Sequence, residues 1–247
     1  MRGSMERTIL AMVLTACTVL PPLATPTSQL RSLSSSPGAT SNLAAKAFAL
    51  RSRAAARERA GVWGSEAPDA VRRMVDAVLA HGDSQDRPFV VIDKQLAQLF
   101  VVDVNGTLLG RTAVLLGSAI GDDSVPGIGE RPIALIEPFE RTTPAGRFMA
   151  AAGQNSHGED IVWVDFNAAI SMHRVRVVDP SEHRLQRLAS GTPDDNRISY
   201  GCINVPVEFF NLTLAPIFGR GPHAVYVLPE VRSLDSMLKA SDAKYAL

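Results

Sequence analysis

The chain has 247 residues, a length that fits one domain of ordinary size with additional segments. Hydrophobic residues make up 46% and charged residues 20%, which argues against a wholly disordered chain. Lys plus Arg and Asp plus Glu both number 25, so the formal charge is zero and a strongly basic nucleic-acid-binding protein is disfavoured. The sequence has no apolar run of about 20 residues that would form an ordinary transmembrane helix. Two cysteines are too few for a disulfide scaffold.

A targeting signal is predicted for residues 1–17. Arg2 and Arg7 precede an apolar run at 8–16, which ends in Leu-Thr-Ala immediately before Cys17. A positive start followed by a short apolar run is typical of a secretory signal. The ending resembles a bacterial lipobox, in which the cysteine is lipidated. We therefore expect export to the periplasm or cell envelope, either as a lipoprotein with a membrane tether at Cys17 or after cleavage of a plain signal.

Two segments precede the main domain. Residues 18–60 are rich in Pro, Ser and Thr and then in Ala and Arg, which predicts a flexible tether followed by a helix. Within 61–87, apolar residues recur at helical spacing after Ser65 and Pro68, and Gly82 ends the pattern. This spacing predicts an N-terminal helix that packs against the domain.

The region 88–230 is predicted to form the main domain. Short apolar runs separated by Gly and Pro predict strands at 89–93, 98–103, 108–116, 133–136, 161–164, 169–173 and 224–228. Helical patterns occur at 181–188, at 206–218 and, within the C-terminal tail 231–247, at 231–240. We therefore expect a mainly β (α+β) fold, with mixed sheets packed as a sandwich or open barrel and with peripheral helices.

Cys202 is the candidate nucleophile. The neighbouring Gly201 gives it little steric cover, and loss or lipidation of Cys17 would leave Cys202 as the remaining thiol of an exported chain. A thiol needs a nearby base or cation to ionise at neutral pH, and His173 ends an apolar run that would hold it at a sheet rim. A buried core cysteine is the alternative. A metal site that includes His183 is disfavoured, because short Cys/His ligand spacings are absent.

Several blocks of sequence occur together in a fixed order. Thr-Pro-Ala-Gly-Arg-Phe at 143–148 precedes His173, and Ser-Tyr-Gly-Cys-Ile-Asn follows at 199–204. As a set, these blocks resemble the L,D-transpeptidase catalytic domain, the YkuD-type fold of bacterial cell-wall enzymes. The resemblance covers about residues 88–230. It implies a cysteine-dependent acyltransferase of cell-wall biogenesis and cell shape, which binds peptidoglycan stem peptides and forms a thioester on Cys202 with His173 as base.

The chain departs from the family pattern in two places. The family has His immediately before Gly-Cys, where this chain has Tyr200. The gap of 29 positions between His173 and Cys202 is also longer, because of a polar insert at 179–196 that we expect to form a lid or wall. We expect Tyr200 and Gly201 to stabilise the oxyanion or orient the site.

Four further residues are expected to bind or position the substrate: Ser199, Asn204, Arg174 and Arg197. The two arginines would meet substrate carboxylates. No metal, organic cofactor, nucleic acid or protein partner is expected. The segment 156–158, Ser-His-Gly, copies the start of the motif but is followed by Glu159 instead of Cys, so we interpret it as a surface turn.

Three other functions stay open at this point. Water in place of an amine would give an L,D-carboxypeptidase or endopeptidase on the same scaffold. Tyr200 and the insert could mark a cell-wall-binding module without catalysis. A tethered structural protein of the periplasm would use Cys202 as a core residue.

Overall fold

The computed structural model describes residues 68–245, with side chains described through residue 239. The strands are β1 (Phe89–Asp93), β2 (Gln98–Val102), β3 (Leu108–Ala113), β4 (Leu116–Gly117), β5 (Gly146–Gln154), β6 (Asp160–Asp165), β7 (Ile170–Arg174), β8 (Arg197–Ser199), β9 (Ile203–Val205) and β10 (His223–Val227). The helices are α1 (Asp69–His81), α2 (Arg184–Ala189), α3 (residues 207–218) and α4 (Leu234–Tyr245). In α3, a π-helical turn lies between two short α-helical segments.

The described part of the chain is mainly β, as predicted. One mixed sheet has the strand order β3-β2-β1-β10-β5-β6-β7-β9, and β4 pairs with β8 in parallel. The turn at Asn105-Gly106, a dipeptide typical of hairpin turns, joins the antiparallel strands β2 and β3. The predicted strands at 89–93, 98–103, 161–164, 169–173 and 224–228 match observed strands to within one or two residues.

The central strands β1, β2 and β10 of the large sheet are buried on both faces. On one face, alternate residues of the strands pack with α3 in a core that includes Val90, Ile92, Leu99, Val101, Val225, Phe210, Leu214 and Phe218. On the other face, α1 and α4 cover residues that include Phe89, Val91, Phe100, Val102 and Tyr226. Because successive side chains of a strand point to opposite faces, a strand covered on both sides is apolar throughout. This explains the continuous apolar runs of β1 and β10.

Helix α1 buries the apolar stripe that its sequence predicts. Val71, Met74, Val75 and Val78 are buried, and the helix ends at Gly82, whose φ of +63° favours glycine. The helix occupies Asp69–His81 of the predicted 61–87. Residues 1–67, with the predicted signal, tether and Ser65 cap, lie outside the described residues. Within residues 68–245, none of the helices has the length and apolar character needed to span a bilayer.

One predicted strand is wrong and three strands were missed. Residues 133–136 form a 3-10 turn, Ile133–Leu135, after Pro132, and the side chains of Ile133 and Leu135 are more than half exposed. An apolar run of this length does not distinguish a strand from a turn, and this one has no neighbouring strand to pair with. The missed strands are β5, β8 and β9. The sequence of β5 is rich in Ala and Gly, residues that are depleted in strands.

Candidate active site

The nucleophile and the base are brought together by the parallel pairing of β7 and β9. His173 of β7 is in register with Asn204 of β9, and Cys202 immediately precedes β9. In β7, Ser171 and His173 are two residues apart and therefore lie on the same face of the strand. The pairing thus places the Cys202 turn beside the face that carries both side chains.

Cys202 and His173 are close enough that each shifts the pKa of the other. His173 Nδ1 lies 2.8 Å from the carbonyl oxygen of Arg174. A carbonyl only accepts hydrogen bonds, so Nδ1 carries a proton, and in the neutral ring Nε2 is the atom that takes the thiol proton.

Burial and pairing act in opposite directions on the two pKa values. Burial alone lowers the pKa of His173, but its hydrogen bond and charge attraction to Cys202 outweigh burial, and the pKa is raised. Burial alone raises the pKa of Cys202, but the hydrogen bond and charge of His173 outweigh it, and the pKa is lowered. Both directions favour a thiolate–imidazolium pair.

Ser171 is a site residue that the sequence analysis missed. Its Oγ lies 3.6 Å from Cys202 Sγ, and it is only 5% exposed. The sulfur also lies 3.5 Å from the carbonyl oxygen of Ala169. The thiol can donate to that carbonyl, whereas the thiolate accepts from Ser171. The spacing of two residues from His173 on a predicted strand is the signal that would have indicated it.

The turn that carries Cys202 is fixed by hydrogen bonds on both sides of Gly201. Gly201 has a φ of +128°, and a Cβ there would lie 2.7 Å from the carbonyl oxygen of Thr142. The Gly201 N–H donates to Ser199 Oγ at 3.0 Å, and Ser199 Oγ donates to the Cys202 carbonyl at 2.6 Å. Thr143 Oγ1 donates to the Gly201 carbonyl at 2.8 Å. The Thr-Pro block and the cysteine block of the sequence therefore meet in this turn.

These contacts correct the roles predicted for Gly201 and Ser199. The Gly201 N–H is committed to Ser199, so it is not a donor for an oxyanion. Ser199 is 4% exposed and uses its hydroxyl within the turn, so it positions Cys202 rather than binding substrate.

The role predicted for Asn204 in substrate binding is also wrong. Asn204 is completely buried. Its Nδ2 donates to the Cys202 carbonyl at 3.3 Å, and its Oδ1 accepts from Arg184 Nη1 at 2.7 Å. Because Arg184 begins α2, the polar insert 179–196 is joined to the nucleophile turn through Asn204. Asn204 is therefore a positioning residue.

The two arginines predicted to bind carboxylates are engaged by other groups. Arg174 Nε donates to Asn211 Oδ1 at 2.7 Å. Arg197 forms an ion pair with Glu230 and donates to the carbonyl of Lys94 at 2.9 Å. Arg197 therefore belongs to a buried charge cluster instead of the substrate site, because opposite charge at Glu230 is the stronger local partner.

The buried charge cluster of Lys94, Asp122, Arg197 and Glu230 stabilises the turn that carries Cys202 through Thr143. The ammonium of Lys94 lies 2.8 Å from Asp122 and 3.2 Å from Glu230, and it donates to the Thr143 carbonyl at 2.9 Å. Burial raises the pKa of Asp122, but the backbone N–H of Arg232 and the Lys94 ammonium outweigh this and lower it to about 2. Lys94 thus anchors the Thr143 backbone, while the Thr143 hydroxyl anchors Gly201.

Tyr200 lies at the surface beside the nucleophile turn. It is 39% exposed, and the guanidinium carbon of Arg141 lies 4.1 Å from the centre of its ring, a cation–π contact. The expected oxyanion or orienting role of Tyr200 stays a prediction.

A cleft of about 370 Å³ opens beside His173. Its other lining residues are Gly158, Glu159, Asp160, Ile161, Arg174 and Arg176. His157 lies in an exposed turn closed by Asn155, which confirms the interpretation of 156–158 as a surface turn. Among the described residues, no cluster of three His, Cys, Asp or Glu side chains is placed to hold a metal ion.

Comparisons with known proteins give structural matches only. No protein-family model and no curated protein sequence matches the chain. The catalytic domain of an L,D-transpeptidase from E. faecium is 16% identical, with a TM-score of 0.32 over 58% of this chain and 98% of that one. An L,D-transpeptidase from Xylanimonas cellulosilytica is 16% identical, with a TM-score of 0.37 over 57% and 60%. The helical cell shape determining protein Pgp2 from Campylobacter jejuni is 14% identical, with a TM-score of 0.40 over 69% and 62%.

The chain thus spans less than two thirds of the solved Xylanimonas and Campylobacter chains. L,D-transpeptidase catalytic domains, the family that the sequence motifs resemble, are among the structural matches.

Proposed function

We propose that this chain is an L,D-transpeptidase-type acyltransferase that acts on peptidoglycan stem peptides through a thioester on Cys202. One observation carries the proposal: the pairing of β7 with β9 brings His173 next to Cys202, and the Arg174 carbonyl holds His173 Nδ1 at 2.8 Å. A nucleophilic cysteine requires an oriented base beside it, and a structural core cysteine does not. The same pair argues against a binding module without catalysis and against a purely structural cysteine.

The first half of the reaction forms the thioester. The Cys202 thiolate attacks the carbonyl of the bond between an L-centre and D-alanine. As the tetrahedral intermediate collapses, the C–N bond breaks and His173 Nε2 gives its proton to the departing amine of D-alanine. The donor peptide is then bound to Sγ through its acyl carbon.

The second half breaks the thioester. An amine of a neighbouring stem attacks the acyl carbon, and His173 takes the proton that the amine loses. The C–S bond breaks, its electron pair returns to Sγ, and Ser171 and the imidazolium stabilise the thiolate again. With water as the attacking group, the same steps release a trimmed peptide, which is the hydrolase alternative.

The oxyanion of each intermediate needs a donor other than the Gly201 N–H. We assign this role to the Tyr200 hydroxyl, because Tyr200 belongs to the turn that carries Cys202 and is 39% exposed. Loss of one such donor costs about 3 kcal/mol at most sites of this kind. Tyr200→Phe keeps the ring on Arg141, so a loss of about two powers of ten in rate is expected. A Tyr200→Phe enzyme with the full rate would remove Tyr200 from the mechanism.

Export to the cell envelope is part of this proposal, because the substrate lies there. It rests on the sequence of residues 1–17. Radiolabelled palmitate on the full-length chain, lost in Cys17→Ala, is the expected result for the lipoprotein form. Absence of label with normal export would indicate cleavage of a plain signal.

Defined muropeptides test the proposed function. The wild-type protein is incubated with disaccharide-tetrapeptide and the products are separated by mass spectrometry. We expect loss of D-alanine and formation of crosslinked dimers, neither of which occurs with Cys202→Ala. Trimmed monomers without dimers would indicate the hydrolase. The same products from Cys202→Ala would contradict the assignment of the nucleophile.

A further inference from the structure

The cleft beside His173 contains an arginine that the sequence analysis did not single out. Arg176 Nη1 lies 3.3 Å from Glu159 Oε2, and the two side chains are 43% and 46% exposed. Both residues line the cleft together with His173. An exposed ion pair of this kind is weak, about 1 kcal/mol or less, so a ligand can exchange with either partner.

We propose that Arg176 binds the C-terminal carboxylate of the donor peptide, and that this carboxylate displaces Glu159. The inference rests on the proposed function, in which the leaving group is an amino acid. One carbon atom separates the amine of an amino acid from its carboxyl group. Because His173 protonates that amine, the carboxylate lies beside His173 in this proposal, and the cleft is the open space that His173 borders. A guanidinium is the side chain best suited to a carboxylate, since it can donate two parallel hydrogen bonds.

Arg174 lines the same cleft but is already held in place. Its Nε donates to Asn211, its Nη1 donates to the Asp160 carbonyl at 3.0 Å, and its guanidinium lies 4.5 Å from the ring centre of Phe210. Arg176 lies beyond the end of β7 and has the exchangeable partner. This difference identifies Arg176, rather than Arg174, as the carboxylate-binding residue.

Glu159 can keep its position when a ligand carboxylate replaces it at Arg176. Its Oε2 also accepts a hydrogen bond of 2.6 Å from Asn155 Nδ2, which holds it at the cleft edge. Glu159 therefore competes with the substrate carboxylate for Arg176. Substitutions of the two partners of this ion pair are expected to act in opposite directions.

The test compares two donor peptides that differ only at the leaving residue. One ends in a free carboxylate and the other in a carboxamide, and kcat/KM is measured for both. The wild type is expected to prefer the acid by about tenfold to a hundredfold, as for loss of a charge-assisted hydrogen-bond pair. In Arg176→Met the acid-to-amide ratio of kcat/KM falls toward one, mainly because KM for the acid increases. In Glu159→Gln the ratio rises.

A matched control is Arg72→Met, which removes an exposed arginine of α1 from its ion pair with Asp69. Its acid-to-amide ratio is expected to equal that of the wild type. The rate of Cys202 alkylation is measured in every variant to show that the site is folded.

The possible results distinguish a wrong assignment of Arg176 from a wrong proposed function. If the wild type processes both peptides and Arg176→Met keeps the wild-type ratio, Arg176 does not bind the carboxylate, although the proposed function stands. An acid-to-amide ratio in Glu159→Gln below that of the wild type would contradict the proposal that Glu159 competes with the substrate carboxylate for Arg176. If the wild type forms a thioester with neither peptide, the proposed function is wrong and this inference is wrong with it.

Discussion

Ser171→Ala removes one hydrogen-bond donor to Cys202 Sγ. Ser171 Oγ lies 3.6 Å from Cys202 Sγ, and the side chain is almost completely buried, so water does not readily replace it. A hydrogen bond to a charged group contributes about 1.5–3 kcal/mol. Sulfur is a weak acceptor and the distance is long, so the lower value of about 1.5 kcal/mol applies, or roughly one pKa unit. Ser171→Ala is therefore expected to raise the pKa of Cys202 by about one unit.

The rate of Cys202 alkylation by iodoacetamide, measured against pH, reports this change directly. The wild-type midpoint is expected below the ordinary range of a thiol. The Ser171→Ala midpoint is expected about one pH unit above the wild-type midpoint, and the alkylation rate at high pH is expected to be the same in both proteins. Ser171→Thr keeps the hydroxyl and is expected to restore the midpoint. Ser84→Ala, at a buried serine after α1, is the control. Coincident profiles for wild type and Ser171→Ala would refute the role of the hydroxyl.

Three other substitutions test the site and the turn. His173→Ala leaves burial of Cys202 opposed only by Ser171, so the alkylation midpoint is expected to move above that of the wild type; an unchanged midpoint would contradict the pairing. Gly201→Ala places a Cβ 2.7 Å from the Thr142 carbonyl at a φ of +128°, and a thermal melt is expected to show a loss of about 1–3 kcal/mol. Thr143→Val removes the donor to the Gly201 carbonyl, which should cost about 1–3 kcal/mol in urea unfolding, whereas Thr143→Ser should retain most of the stability.

The pairing of His173 with Cys202 was predictable because both lie in short local patterns. An apolar run ending in His predicts a strand end, and the Gly-Cys motif predicts an accessible thiol. Ser171 was within reach of the same argument, since strand alternation places it on the His173 face. What local sequence does not contain is the parallel register of β7 and β9, which makes this serine a neighbour of Cys202.

The errors concern groups whose partners are distant in sequence. Arg197 pairs with Glu230, 33 positions away, and donates to Lys94, 103 positions away. No local pattern indicates such partners, so an arginine near the motif looks available for substrate. Ser199 was misassigned for a related reason. A hydroxyl near a nucleophile suggests a substrate contact, but the sharp turn at Gly201 uses it internally.

Intact-protein mass spectrometry tests the central claim most directly. The full chain is mixed with a stem tetrapeptide, quenched in acid within the turnover time and weighed. We expect an adduct with the mass of the acylated tripeptide, mapped to Cys202 and absent from Cys202→Ala, and a much slower appearance of this adduct in His173→Ala. An adduct at another residue, or undiminished turnover by Cys202→Ala, would contradict the account.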